Sequence, residues 1–496
     1  MTDRKAAPLE IPDRTWTVWA IAISLFIALT RLLALRTGAL DLLPDEAQYW
    51  SWSRTLAAGY FSKPPVVAWL IGATAALLGD NSEFAVRLAS PLIHAATGVV
   101  VALLGRDLFS ARAGFWAALC YATLPGVDFS ALIISTDVPL LFCWALALFA
   151  LWRLLGQPHR VWAVLLGVAI GLGFLSKYAM GYFLIGMIVL AATEPVAVWR
   201  GAGRRLLLAL FVAVAIMLPN VLWNARHGWA TIGHTAANAD WSAFGLHVEE
   251  TLAFAAAQFG VFGPILMVAF IVRIILWRRY PPYDQERFLL AFSLPVLLLM
   301  VIQSGISRAH ANWAAVTYVP ATILVVGWLD RIGRNWIVKL SAVLQLVLFA
   351  AFTMLFAGAL SVRLPKALDI FHQMRGWRSL AELALGRMNK MPPGTSLAAE
   401  DRETMAELDY YTRYRTFPLV MAVGSGPAGN QYEAERAIDP QTGAHALLVA
   451  NDADRTDILD RFSQHQLLEE WTVRAGPGRL RHYYVYELSG YRGGGG

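Results

Sequence analysis

Apolar residues in this chain come in long blocks separated by short polar loops, not in the brief alternations of a soluble domain. A helix that crosses a bilayer needs about 20 apolar residues, with roughly 17 to 25 as the working range. Blocks of that kind lie near 16–35, 84–105, 113–127, 131–152, 161–176, 178–199, 206–223, 251–277, 288–304, 313–329 and 337–359. The pattern predicts about eleven transmembrane helices, or up to about 13 on a generous count, with juxtamembrane helices in the first outer loop. The third and fifth blocks are short and read as tilted or re-entrant. The first lacks a small-residue cleavage site and reads as an uncleaved span.

Beyond about residue 360 the period changes. "GWRSLAELALGRM" and "RTDILDRFSQH" have helical spacing, whereas "AHALLVAND" and "HYYVYEL" read as strands. The fold class expected is an all-α polytopic membrane domain over 1–360, followed by a small α/β domain over 361–492. The terminal Gly493–Gly496 reads as an artificial extension. The tail contains no recognisable catalytic cluster, and a lid, an acceptor platform and a stabilising cap all remain open for it.

Composition agrees: of 496 residues 57% are hydrophobic and only 15% charged, against about a quarter charged in soluble domains. The net charge of +6 does not point to nucleic acid, because the basic residues sit in short loops. Arg4, Lys5 and Arg14 precede the first block, and Arg106, Arg112, Arg200, Arg204, Arg205, Arg273, Arg278, Arg279, Arg331, Arg334 and Lys339 mark alternate loops. By the positive-inside rule those loops and the N-terminus are cytoplasmic, and an odd number of spans puts the tail outside. Cys120 and Cys143 both fall in apolar blocks, as buried small hydrophobes rather than nucleophiles.

On this topology the unusual polar residues gather on the outer face. "LPDEAQYWSWS" carries Asp45 and Glu46, "YFSKPP" carries Tyr60 and Lys63, and "LPGVDFSALIISTDVPLL" carries Asp128 and Asp137. Lys177 marks "GFLSKYAMG"; Arg226, His227 and His234 lie in "NVLWNARHGWATIGHT"; Arg308, His310 and Asn312 lie in "SGISRAHANW". Ionisable groups at membrane depth cost about 2.5–3.5 kcal/mol at mid-helix, so they usually face a working cavity. Plainer readings stand beside this. Lys177 and the loop arginines could snorkel to headgroups, Asp128 could cap a helix, and the histidines could be ordinary loop residues. "SKPP" resists such a reading, because paired prolines fix the backbone and so restrict where Lys63 points.

Sugar hydrolysis wants two carboxylates flanking one bond, since the leaving alkoxide must be protonated. A phosphate leaving group removes that need. One carboxylate then suffices to take the acceptor's proton, and cations stabilise the departing charge. The set suits glycosyl transfer from a lipid phosphate. A transporter or flippase of lipid-linked sugar is the rival class, although repeated halves and midplane charges, its usual marks, are not evident. A sensor or scaffold whose outer domain binds a partner is the third.

"DEAQYW…GYFSKPPVVAWLIG", "STDVPLLFCWALALF" and "GLGFLSKYAMG", in that order over roughly residues 16–330, resemble the integral-membrane GT-C glycosyltransferases of the protein O-mannosyltransferase type. The nearest likeness is to the bacterial branch of lipid A aminoarabinose transferases and lipopolysaccharide-core galacturonosyltransferases. The resemblance implies an inverting transferase of the bacterial inner membrane. It would move a monosaccharide from polyprenyl phosphate to lipid A, core or another envelope acceptor on the periplasmic face; a protein acceptor is the alternative within the same fold. It places acids on Asp45 and Asp137 and donor-phosphate contacts on Lys63, with Tyr60 as its neighbour, and Lys177; Glu46 is read beside them as a catalytic acid, and Arg226 and His234 as further phosphate contacts, although no motif fixes His234. Acceptor or sugar contacts fall on Arg308, His310 and Asn312. The partners implied are the lipid-linked donor, the acceptor and membrane lipids. Two positions depart from the aminoarabinose pattern: Ser62 replaces an acid implicated in metal binding, which leaves a divalent metal open but in doubt, and Gln48 replaces an arginine, which argues against assuming aminoarabinose as the sugar.

Overall fold

The computed structural model describes residues 11–157, 159–194, 202–239, 245, 247–307, 309–359, 369–422 and 428–493. Among them, seven helices are long and apolar enough to cross a membrane: Asp13–Thr37, Glu83–Leu108, Asp137–Gly156, Ala202–Arg226, Asp284–Ile306, Ala311–Arg331 and Asn335–Phe356. An eighth candidate, predicted as one helix over 251–277, is instead two helices, Val248–Phe262 and Pro264–Ile275, bent by 113°. Pro264 disfavours helical geometry at the preceding residue, and Gly263 takes φ 86° there, which glycine adopts readily. The expected count of about eleven is not reached by length and composition. Arg160–Ser176 and Tyr178–Thr193 are apolar but short, and the block at 113–127 ends its helix at Ala122.

The first helix illustrates how the spans are divided. Ala20, Ser24, Ile27, Arg31 and Ala34 form the buried stripe at helical spacing, while Leu25, Phe26, Leu29 and Leu33 are exposed on the side a bilayer would cover. Arg31 is tolerated there because it meets the Asp128 carboxylate at 2.6 Å and the Ala122 carbonyl at 2.6 Å. Asp128 is therefore an ion-pair partner rather than a helix cap. Cys120 and Cys143 are buried free thiols.

The first outer loop folds into two short helices, Pro44–Ser53 and Val66–Leu78, joined by the Lys63 loop. The tail carries one five-stranded sheet, β1 (Ser396–Ala399), β2 (Leu419–Met421), β3 (His445–Ala450), β4 (Phe462–Gly476) and β5 (Arg479–Tyr491), in the order β2-β1-β3-β5-β4. β1 runs parallel to both β2 and β3, whereas β5 pairs antiparallel with β3 and β4. The segment 455–465, expected as a helix, is helical only over Thr456–Leu459, and from Phe462 it is strand. Phe462 sits opposite Tyr491, and long β5 offers a ladder that outweighs local helical spacing.

Tail and first loop share one hydrophobic core. Trp50, Trp52, Tyr60 and Val67 pack in the same cluster as Trp377, Leu380, Leu408, Tyr410 and Leu447. Polar contacts fix the register: the Asp41 carboxylate accepts from the Trp377 amide at 2.9 Å, Ser51 donates to Asp409 at 2.7 Å, and the Tyr410 hydroxyl donates to the Asn81 carbonyl at 2.7 Å. The tail is thus docked on the outer loop, with its Arg402–Tyr411 helix lying against Pro44–Ser53.

Candidate active site

Where these pieces meet they enclose a cleft of about 770 Å³. Pro44 starts the first-loop helix and sets Asp45 in its first turn, where a negative charge complements the helix dipole. Asp137 likewise opens the Asp137–Gly156 helix. Lys177 stands at the extended break between Arg160–Ser176 and the short helix from Tyr178. Lys63 precedes Pro64 and Pro65, and its loop is clamped from several sides. The Tyr60 ring stacks on Trp52 at 4.7 Å, its carbonyl accepts from Thr231 at 2.6 Å, and the Ala58 carbonyl accepts from Asn220 at 2.7 Å. The proline-locked lysine is therefore presented by a rigid loop.

Asp45, Lys63, Asp137, Lys177, His234, His310 and Asn312 all line this cleft. Lys177 donates to Asp137 at 2.7 Å, and Asn312 donates to the other Asp137 oxygen at 2.7 Å. Among the described residues no carboxylate pairs with Lys63. Burial pulls its ammonium below the usual lysine range, aided by the Lys177 charge and opposed by Asp45 and Asp137. Lys63 and Lys177 also border a second cavity of about 240 Å³, whose other walls include Tyr178, Tyr182, Met300 and Trp313. The two lysines thus stand at the seam between a polar cleft and a largely apolar one.

Three sequence assignments land elsewhere. Glu46 is buried, bonded to Arg87 at 2.6 Å and to the amides of Leu43 and Ile134 at 2.9 Å each; it braces the loop and does not line the cleft. Tyr60 is also buried, its hydroxyl 3.0 Å from the Trp52 carbonyl, so it shapes the loop rather than facing a ligand. Arg226 is exposed at the end of the Ala202–Arg226 helix, outside the cleft lining. Arg308 lies outside the described residues.

The tail supplies what sequence reading missed. Arg402 donates to Asp45 at 2.8 Å and to Gln48 at 2.7 Å, and Glu403, Asn430 and Arg481 complete the outer wall. A guanidinium is thus brought to Asp45 and Gln48 from a distant stretch of chain. Gln48 was the only signal, as a departure that asked for compensation. Among the described residues no three His, Cys, Asp or Glu side chains converge, and both cleft aspartates already accept from Arg402, Lys177 and Asn312. That donor set does not fit a divalent ion.

The cleft thus carries carboxylates on one wall and two lysines at its seam with the smaller cavity. The profile of the dolichyl-phosphate-mannose-protein mannosyltransferase family matches residues 62–223. Lipid A galacturonosyltransferase RgtD of Rhizobium johnstonii is 32% identical over 480 residues, 95% of this chain and 98% of that protein. Undecaprenyl phosphate-alpha-4-amino-4-deoxy-L-arabinose arabinosyl transferase 1 of Pseudomonas fluorescens is 30% identical over 59% of this chain and 51% of its own length. ArnT from Cupriavidus metallidurans bound to undecaprenyl phosphate shares the fold, with a TM-score of 0.66 at 18% identity over 97% of this chain and 99% of that one. The chain belongs to the GT-C family of integral-membrane, polyprenyl-phosphate-sugar-dependent glycosyltransferases.

Proposed function

We propose that this enzyme transfers a uronic acid, galacturonic acid foremost, from polyprenyl phosphate to lipid A at the periplasmic face of the bacterial inner membrane. The observation that carries the reading is that Asp45 and Lys63 line one cleft, with Lys63 at its seam with the smaller cavity. The prenyl chain occupies the cavity at Tyr178, Tyr182, Met300 and Trp313, the phosphate lies between Lys63 and Lys177, and the sugar projects toward Asp45. Asp45 takes the proton of the acceptor hydroxyl as its oxygen attacks the anomeric carbon. The bond from that carbon to the phosphate oxygen breaks with inversion, its electron pair passing to the phosphate, where the lysine charges stabilise it. Asp137 holds Lys177 in place, and Arg402 orients Asp45.

A uronic acid is supported by the relative RgtD and by the arginines of the outer wall. Arg481 is stacked over Trp377 at 3.8 Å and donates to the Arg375 carbonyl at 3.0 Å, and its positive charge at the cleft wall complements a carboxylate. The basic residues of alternate loops support a cytoplasmic N-terminus and a periplasmic cleft. The test is reconstitution of the full chain in nanodiscs with undecaprenyl-phosphate galacturonic acid and lipid A, followed by mass spectrometry. A galacturonosylated lipid A supports the reading. Translocated donor without a new glycosidic bond, or transfer to a peptide instead, would replace it.

A further inference from the structure

A second recess lies at the other end of the first-loop helix and shares no lining residue with the catalytic cleft. Its volume is about 340 Å³, and Trp50, Ser51 and Phe417 join four arginines, Arg54, Arg413, Arg415 and Arg436, around a single acid, Asp409. Asp409 is already spoken for, accepting from Arg415 at 2.7 Å, Arg436 at 2.9 Å and Ser51 at 2.7 Å. The remaining two arginines meet neutral acceptors: Arg54 donates to the Asn81 side chain at 3.2 Å, and Arg413 donates to the Tyr410 carbonyl at 2.9 Å. The buried Nε of Arg413 has no acceptor among the described residues. A guanidinium offers five donors, more than these contacts use at Arg54 and Arg413. The exposed Asp80 carboxylate feels the Arg413 charge.

The surroundings are those of a membrane interface. Tyr414, between two of the arginines in sequence, is 83% exposed, and Leu56, two residues beyond Arg54, is 63% exposed. Exposed aromatic and aliphatic side chains next to arginines suit the headgroup level of a bilayer. Ser51 lies six residues beyond Asp45 on one helix, a rise of about 9 Å and about a third of a turn round its axis.

We infer that the recess formed by Arg54, Arg413, Arg415 and Arg436 is a binding site for the phosphate of an anionic lipid headgroup, separate from the donor phosphate site. Planar guanidinium forks recognise phosphate through paired hydrogen bonds. The headgroup can come from the acceptor itself, which would deepen the lipid A reading above, or from anionic phospholipid of the surrounding leaflet.

The test uses the full chain in phosphatidylcholine nanodiscs without donor, so that it reads binding and not turnover. Native mass spectrometry counts retained phosphatidylglycerol or phosphorylated lipid A, for the native chain, Arg54→Gln, and Arg54→Gln with Arg413→Gln. Neither of these arginines pairs with Asp409, so folding is preserved, and unchanged thermal melting verifies it. At least tenfold weaker retention in the double variant, with an intermediate loss in Arg54→Gln, is expected. Preference for phosphorylated lipid A assigns the site to the acceptor, and equal retention of phosphatidylglycerol assigns it to bulk lipid. No selective retention by the native chain, or equal retention by the variants, overturns the inference. A failure of the transferase reading would leave this binding result intact.

Discussion

Arg402→Gln separates what the tail does for stability from what it does for chemistry. The guanidinium lies 2.8 Å from Asp45, but the two side chains are 32% and 56% exposed. Two unit charges about 4 Å apart attract by about 1 kcal/mol in water and about 4 at an intermediate dielectric; exposed pairs, after screening and side-chain entropy, are measured at roughly 0.2–1 kcal/mol. Losing this pair should therefore lower stability by less than about 1 kcal/mol. Activity is a different matter. A positioned general base contributes about 10²–10⁴ in rate, and among the described residues Arg402 is the side chain that holds Asp45 toward the cleft. Freeing that carboxylate should lower kcat by about ten- to a hundredfold, or roughly 1.4–2.7 kcal/mol. The assay is turnover in nanodiscs beside thermal melting, for Arg402→Gln, Asp45→Asn and the double variant. If Arg402 acts through Asp45, the double variant is no slower than Asp45→Asn alone. Multiplying effects, or a near-native rate in Arg402→Gln, would refute the coupling.

Lys63→Ala should raise the KM for donor and lower kcat at least a hundredfold while leaving thermal melting within a few degrees; normal donor kinetics would remove Lys63 from the phosphate site. Because burial holds the Lys63 pKa below its ordinary 10.5, its charge is lost at lower pH than that of a solvated lysine. The donor kcat/KM should fall along that alkaline limb, and Lys63→Arg should move the fall to higher pH; an unmoved limb assigns it to another group. Glu46→Gln leaves the buried Arg87 uncompensated, a loss of about 3–5 kcal/mol, so it should deplete folded protein while the surviving fraction keeps most of its specific activity. A stable but inactive Glu46→Gln would return that residue to the chemistry.

The outer-face constellation was legible because charge is scarce in apolar sequence, so Asp45, Lys63, Asp137 and Lys177 stand out by exclusion. The same rule misjudged Glu46, and the cap reading of Asp128 missed its ion pair. An acid near a membrane looks alike in sequence whether it faces a ligand or an arginine, and here the partners, Arg87 and Arg31, are distant along the chain. Span counting suffered from a similar limit. Periodicity reports apolar length but not the bend that Gly263 and Pro264 impose. Arg402 was invisible for another reason: in the polar tail one arginine among many carries no signal, and only tertiary docking brings it to Asp45.

The central claim is that donor phosphate sits between Lys63 and Lys177, within reach of Asp45. A cryo-EM structure of the full chain with undecaprenyl phosphate tests it directly. The account predicts phosphate oxygens about 3 Å from both lysine Nζ atoms, with the prenyl chain running past Tyr178 and Tyr182. A phosphate seated away from Lys63, with that side chain turned from the cleft, would contradict it.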